Sequence, residues 1–296
     1  MYNPSVKVAL IANPRAGRCR SARVAPVAAD LLQRGGWQVD LQTTSGVGHA
    51  TELARDAAAA GYDLVVGVGG DGTLSELVNG LVGTEVPCGL VPCGTGNDFA
   101  RFVGISQRTE SAVEQLLSGC PRVVDLGLLR QPSMYFVNIV GVGFDAAVAE
   151  RINRRRRFTG GLTAYLPAIL AEVAANSFVS AAVQIDGKRY EDELLLVAVA
   201  NGNAYGSGFR IAPRAVCDDG LLDVVLVRRT GRLDVLYSLA LAYGGWHEKH
   251  PKVEMLRATE VKIEADRPAP ATVDGDILAY TPLEIEVSSG AGLLWL

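Results

Sequence analysis

The residues able to do chemistry in this sequence gather in two glycine turns. Gly69-Gly70-Asp71-Gly72-Thr73 follows the apolar run Val65-Val66-Gly67-Val68, and Pro92-Cys93-Gly94-Thr95-Gly96-Asn97-Asp98 follows Cys88-Gly89-Leu90-Val91. Glycine lets the backbone turn through positive φ and lets a bulky ligand approach the main chain. A turn that opens a helix aims unpaired N–H groups at an anion, so phosphate suits it. Each turn adds an Asp and a Thr. The carboxylate suits a metal ion or a reacting hydroxyl, and the hydroxyl suits a phosphate oxygen. The Gly-Lys-Ser/Thr ending of the familiar phosphate loop is absent, which excludes that class of NTPase. A plainer role is open to both acids, since Asp71 and Asp98 could each cap a helix.

The elements around these turns explain their position. Val6 to Ile11 reads as a strand that ends at the turn Asn13-Pro14-Arg15-Ala16-Gly17. Helical spacing follows over Ser21 to Arg34, then a strand over Trp37 to Thr43 and a helix over His49 to Ala60. Strands over Asp63 to Val68, Pro87 to Val91 and Val123 to Leu129 alternate with helices over Leu74 to Leu81 and Thr109 to Leu117. Nearly all-apolar strands alternating with helices predict a parallel sheet covered on both faces, a Rossmann-like three-layer α/β unit. Ligands bind such sheets beyond the carboxyl ends of the strands, where all three turns fall.

From Tyr135 the pattern changes to strand-like runs: Phe136 to Val142, Val179 to Ile185, Leu194 to Ala200, Leu222 to Val227, Glu260 to Ala265 and Leu283 to Val287. Helices are expected only near 161–175 and 232–244. This predicts a mainly β sandwich as a second domain. The expected division is 1–126 and 127–296, with the final residues able to pack back on the first domain.

Composition narrows the classes. A net charge of −4 argues against bulk attraction to nucleic acid. Five scattered cysteines without a CxxC pair disfavour a disulfide or zinc framework and favour a reduced, cytoplasmic protein. The N-terminus reads as a strand, not a signal peptide. The apolar stretch Leu233 to Trp246 is too short for a span, which needs roughly 20 residues. Arg154-Arg155-Arg156-Arg157 reads either as a solvated face or as a contact for anionic headgroups. The apolar residues that follow it at helical spacing, Phe158 to Ile169, are either core or the lining of an acyl cleft. His49, His247 and His250 show no metal-like arrangement.

Gly69-Gly70-Asp71-Gly72-Thr73-Leu74-Ser75-Glu76-Leu77-Val78-Asn79-Gly80 and Pro92 to Arg101 resemble the two signatures of the diacylglycerol kinase catalytic superfamily, closest to its bacterial lipid kinases without membrane spans. Asn13 to Gly17, Asp219-Gly220-Leu221-Leu222-Asp223-Val224 and Asp274-Gly275-Asp276 extend the resemblance along the chain. NAD kinases and phosphofructokinases share the GGDGT loop but not the Asn-Asp-Phe-Ala-Arg extension. The resemblance implies an ATP- and Mg2+-dependent kinase making phosphatidic acid from diacylglycerol, in transient peripheral contact with the inner face of the membrane. A homodimer is implied by analogy, and ceramide, a sphingoid base or another glycerolipid are alternative acceptors.

By position, ATP would meet Asn13, Pro14, Arg15, Ala16 and Gly17, then Thr44, then Gly70, Asp71, Gly72, Thr73, Leu74, Ser75 and Glu76, and finally Thr95. Asp71 and Asp98, with Asp145, would organise catalytic magnesium, and Asp145 would lie near the lipid head group. A structural magnesium would take the Asp219 carboxylate and the carbonyls of Val216 and Leu221. The family's usual Asp-Gly-Glu is here Asp274-Gly275-Asp276, so the general base would be the shorter Asp276, with Asp71 as the alternative. An NAD kinase and a non-catalytic nucleotide-binding regulator are the two competing classes.

Overall fold

The computed structural model describes residues 6–154 and 162–296. Most of the arginine run, with Phe158, lies outside the described residues. The chain divides into two compact units, 1–124 with 290–296, and 125–289.

In the first unit, β1 (Lys7–Ala12), β2 (Gln38–Thr43), β3 (Leu64–Gly69) and β4 (Cys88–Pro92) form a parallel sheet in the order β4-β3-β1-β2. Leu294 adds a final parallel contact beside Cys88. Residues of β1 and β3 are buried on both faces because helices cover both sides. The helices Ser21–Arg34 and Thr109–Ser118 bring Ala28, Leu32, Val113 and Leu116 against Leu10, Val66 and Val68. The order reverses at β1, whose chain neighbour β2 lies on one side while β3 lies on the other. The loops after β1 and β3 therefore part at the switch point where such sheets bind ligands.

The second unit takes β5 (Pro121–Leu129), whose N-terminal half belongs to the first unit, then β6 (Met134–Phe136), β7 (Ile139–Gly143), β8 (Val179–Ile185), β9 (Lys188–Ala200) and β10 (Leu222–Arg228). It continues with β11 (Val253–Ala258), β12 (Glu260–Ala265), β13 (Pro270–Val273), β14 (Asp276–Tyr280) and the first part of β15 (Leu283–Trp295). All pairings within it given by register are antiparallel, along β14-β13-β7-β9-β8-β12-β15. The long β9 pairs β8 with its first half, while its second half lies between β7 and β10. Alternation places Leu222, Val224 and Leu226 in the sandwich core and Val225 and Val227 on the opposite face. That opposite face is covered by helices at Phe144–Arg154, Leu162–Ala175 and Arg232–Ala242.

Three expectations need correction. The run Phe136 to Val142 is two strands, because the Asp274 carboxylate takes the N–H groups of Val137, Asn138 and Ile139 at 3.0, 2.9 and 3.2 Å. The helix Phe144–Arg154 was not expected, since the glycines before it read as a strand end. The first helix after the GGDGT loop begins at Asp71, with Gly70 as its N-cap.

Candidate active site

The three turns of the first unit touch through their backbones. The N–H groups of Cys93 and Gly94 donate to the Gly69 carbonyl at 2.8 and 3.2 Å, and that of Asn13 donates to Val68 at 3.2 Å. A Cβ on Gly17 would sit 1.8 Å from the Cys93 carbonyl oxygen, and one on Gly94 would sit 2.5 Å from Gly70 Cα. Gly17 also holds φ at +56°. Glycine is required here by close approach as well as by conformation. Asn13 Nδ2 donates to Thr73 Oγ1 at 3.4 Å, and Arg15 N–H donates to Asn13 Oδ1 at 3.1 Å, which fixes the first turn over the second.

Asp71 and Asp98 converge on the third turn. A Cβ on Gly96 would lie 3.2 Å from Asp71 Oδ2 and 3.1 Å from Asp98 Oδ2, so the two carboxylates share the space that glycine leaves open. Asp71 caps no helix of its own; its Oδ1 accepts the Phe99 N–H at 3.0 Å, at the start of the short helix Asp98–Phe102. Asp98 is likewise not the N-cap, which is Asn97 at φ 52°, and its Oδ1 accepts from Arg101 at 3.1 Å. Two hard oxygens on one small opening, beside phosphate-type turns, fit magnesium.

The other expected nucleotide contacts differ in what they can offer. Thr95 and Arg15 are exposed, and Thr44 is buried at the end of β2. Thr73 folds its hydroxyl over Gly69. Leu74 is a core side chain whose N–H bonds the Gly70 carbonyl at 3.1 Å, so it shapes the loop and offers a ligand neither group. Glu76 accepts the Ala50 N–H at 3.1 Å, capping the helix His49–Ala59.

In the second unit, Asp145 stands at the start of its helix, 8% exposed. Its Oδ1 accepts the Ala146 N–H at 2.7 Å and its Oδ2 accepts the Thr272 hydroxyl at 3.0 Å. Burial pushes its pKa up to about 6, although both hydrogen bonds work against the rise. Asp145, Thr272 and Gly275 line an apolar cavity with about 1070 Å³ of free space, its open mouth included. Phe144, Val148, Ile169, Leu196 and Leu239 supply much of its wall. Of the apolar helix residues expected as core or cleft, Ile169 therefore does line a cleft. Asp276 follows Gly275 directly and is exposed at the start of β14.

In the expected structural cation set, Asp219 is the one side-chain ligand, and its carboxylate is engaged by protein groups. The Asp219 carboxylate is ion-paired with Arg257 and accepts the Leu221 N–H at 3.2 Å, so its negative charge already has a cation. Val216 is exposed. Among the described residues no group of three His, Cys, Asp or Glu side chains forms a metal cluster.

A model of the diacylglycerol kinase catalytic domain matches residues 7–129, and one of the YegS C-terminal NAD kinase beta sandwich-like domain matches residues 138–294. A diacylglycerol kinase of Mycobacterium tuberculosis strain H37Rv is 31% identical over 96% of this chain and 93% of its own. The chain belongs to the diacylglycerol kinase family. A diacylglycerol kinase of Bacillus subtilis strain 168 is 26% identical over 93% of this chain and 91% of its own. Among solved structures, a putative diacylglycerol kinase from Bacillus anthracis str. Sterne superposes with a TM-score of 0.83 at 26% identity, over 98% of this chain and 94% of that one. The two-unit architecture, an α/β unit followed by a β sandwich, is thus the family's. No helix among the described residues is long and apolar enough to cross a membrane.

Several residues of this family member escaped sequence reasoning. Asp125 accepts the Gly220 N–H at 2.7 Å, and its own N–H donates to Cys217 at 2.6 Å. Asn201 donates to the carbonyls of Asp125 and Val137 at 3.0 and 2.9 Å, and Asn138 donates to Ala204 at 2.8 Å. With Asp274 they hold the loops that lead to Asp219 and Asp276. The available signal was a lone polar residue inside or just beyond an apolar strand, which periodicity alone does not interpret. Thr272 gave no signal at all.

Proposed function

We propose that the chain transfers the γ-phosphoryl group of ATP to the free hydroxyl of diacylglycerol, giving phosphatidic acid. The observation that carries this reading is the shared opening at Gly96, with Asp71 and Asp98 on either side. The turns Asn13–Gly17 and Gly70–Glu76, with Thr44 and Thr95, would frame the nucleotide. Asp71 and Asp98 would hold magnesium, which when bound neutralises charge on the β- and γ-phosphate oxygens.

Asp276 receives the proton of the lipid hydroxyl while that oxygen bonds to the γ-phosphorus; the bond to the bridging oxygen breaks and ADP leaves. A base must come within about 3 Å of its proton, and an exposed residue on a two-strand hairpin has room to do so. Asp145, ionised above about pH 6, accepts a hydrogen bond from the glycerol head group. The apolar cavity beside it takes acyl chain. The enzyme works as a peripheral protein at the inner face of the membrane.

The test is transfer of labelled γ-phosphate to a panel of lipids and NAD in mixed micelles, with and without magnesium. Labelled phosphatidic acid that disappears without magnesium is the expected result. Label in ceramide or a sphingoid base changes the acceptor and keeps the chemistry. Label in NAD alone, or ATP binding without transfer to anything, overturns the proposal.

A further inference from the structure

The helix Arg232–Ala242 has two apolar faces, with Asp234 and Ser238 on the strip between them. One face, with Val235, Leu239 and Ala242, lines the cavity of the second unit. The opposite face carries Leu233, Leu236, Tyr237 and Ala240, at the spacing i, i+3, i+4, i+7 that makes one stripe. All four are exposed, Leu233 at 81% and Tyr237 at 60%. The stripe continues through Tyr243 to Trp246, which is 65% exposed. Leu166 and Leu170, one turn apart on the neighbouring helix Leu162–Ala175, are also exposed. A single exposed leucine needs no explanation, but a contiguous set with a tryptophan and two tyrosines marks a binding surface.

Charge identifies the partner. Arg232, Lys249 and Lys252 are exposed at the two ends of this stripe and have no ion-pair partner among the described residues. Of the acids close in sequence, Asp234 accepts the Thr230 hydroxyl at 2.8 Å, Glu248 is paired with Arg214 at 2.9 Å, and Glu254 is paired with Arg228. The chain as a whole carries a net charge of −4, so a face with excess positive charge runs against the average. Tryptophan and tyrosine rings settle at the water–lipid interface, and nearby cations add attraction to anionic headgroups. A two-fold pairing with a second copy would bring the same three cations together, which opposes a dimer through this face.

We propose that the face formed by Leu233, Tyr237 and Trp246, rimmed by Arg232, Lys249 and Lys252, is the surface that docks on an anionic phospholipid bilayer. Insertion is shallow, as for an interfacial helix. The helix then stands between the bilayer and the cavity, so lipid is drawn from the surface that holds the protein. The purpose of this docking rests on the lipid-kinase reading; the binding itself does not.

The experiment is co-sedimentation with phosphatidylcholine vesicles made anionic by a minor fraction of phosphatidylglycerol, and with pure phosphatidylcholine vesicles. It is run beside an assay on a short-chain diacylglycerol dissolved as monomer. The variant Leu233→Ser with Tyr237→Ser and Trp246→Ser is expected to lose at least about ten-fold in vesicle affinity. Its melting temperature stays near that of the parent, and its turnover of the dissolved substrate stays within about two-fold, because none of the three residues lines the cavity. Replacing each of Arg232, Lys249 and Lys252 by Gln is expected to weaken binding to the anionic vesicles by about five-fold per charge, and to leave binding to pure phosphatidylcholine unchanged. Undiminished vesicle binding by the serine variant overturns the proposal. So does a parent dimer, in sedimentation equilibrium, that the serine variant dissociates. Loss of vesicle binding by the variant, when the parent itself transfers no phosphate to any lipid, supports the docking face and overturns the lipid-kinase reading alone.

Discussion

The two units build their functional surfaces in opposite ways. In the first, the glycine turns follow three neighbouring parallel strands, and nearly every residue with a role lies within a few positions of a strand end. In the second, Asp145 meets Thr272 across 127 positions of sequence, and the cavity they share is walled by residues from helices and strands throughout the unit. Parallel strands place their carboxyl ends on one edge, so a local motif there is already a site. An antiparallel sandwich gives no such edge, and its site depends on which distant side chains the packing brings together. Phosphate can be held by local backbone geometry, whereas an apolar chain needs a volume that only packing creates.

The contrast can be broken first at the glycine turns. Asp71→Asn keeps an acceptor for the Phe99 N–H but removes half of the paired charge at Gly96. We expect turnover to fall about 1,000-fold with the fold intact, read by steady-state kinetics and thermal melting. A loss below ten-fold would move the metal-holding role elsewhere and make this cluster a purely structural knot.

The second test is in the sandwich. Asp145→Asn preserves both hydrogen bonds in outline, because an amide can accept from Ala146 and donate to Thr272. It removes a charge that burial disfavours. Turnover is expected to fall roughly 100-fold, and the acid limb of the pH profile near pH 6 to disappear. The sign for stability is opposite. The folded-state pKa of about 6 lies above the ordinary 3.8, so the folded protein binds the proton more tightly. Stability is therefore greatest below the ordinary value and declines as pH rises through about 6. The variant should melt at an equal or higher temperature than the parent at pH 7.5, with a shallower decline between pH 4 and 6. Asp223, buried and also raised to about 6, leaves part of that slope in place. A variant that loses activity only because it unfolds would contradict the comparison.

A smaller effect is expected at Asp276, which is exposed and lies next to the cavity lining. Asp276→Asn should reduce turnover by about ten-fold or more with ATP affinity unchanged, measured by single-turnover transfer and nucleotide titration. Near-normal turnover would pass the proton-accepting role to Asp71 and place all of the reacting groups in the local, glycine-turn type of site.

The smallest effect concerns the loop around Asp219. A chelator should stop transfer and leave the melting temperature of the nucleotide-free protein unchanged, since Arg257 already neutralises Asp219. Arg257→Gln should lower the melting temperature by only about 2 °C, as the pair is partly exposed and such pairs contribute about 1 kcal/mol or less. A chelator-induced drop of several degrees would show that the loop holds a cation after all.

Much of the fold was legible in advance for a physical reason. Alternating apolar strands and helices such as Val6 to Arg34 have only one economical packing, and period-two runs such as Glu260–Ala265 can bury their apolar side only in a sheet. The helix Phe144–Arg154 was not legible, because its first turn follows a glycine-rich strand end and its apolar residues read equally as the continuation of that strand. Asp274 was read as part of a motif for chemistry. Its carboxylate is instead a bracket for three backbone N–H groups, a role fixed by where β6, β7 and β13 meet.

By itself, then, the sequence determined the backbone conformations and the charges: where glycine must turn the chain, which loops carry carboxylates, and which segments are apolar on one side or on two. Tertiary structure decided what those groups face. It set Asp71 and Asp98 across Gly96, folded Leu74 into the core, gave Asp219 to Arg257 and buried Asp145 beside Thr272. Local sequence controls dihedral preference and polarity within a few residues, whereas proximity, desolvation and the pKa shifts that follow depend on contacts between segments far apart in the chain.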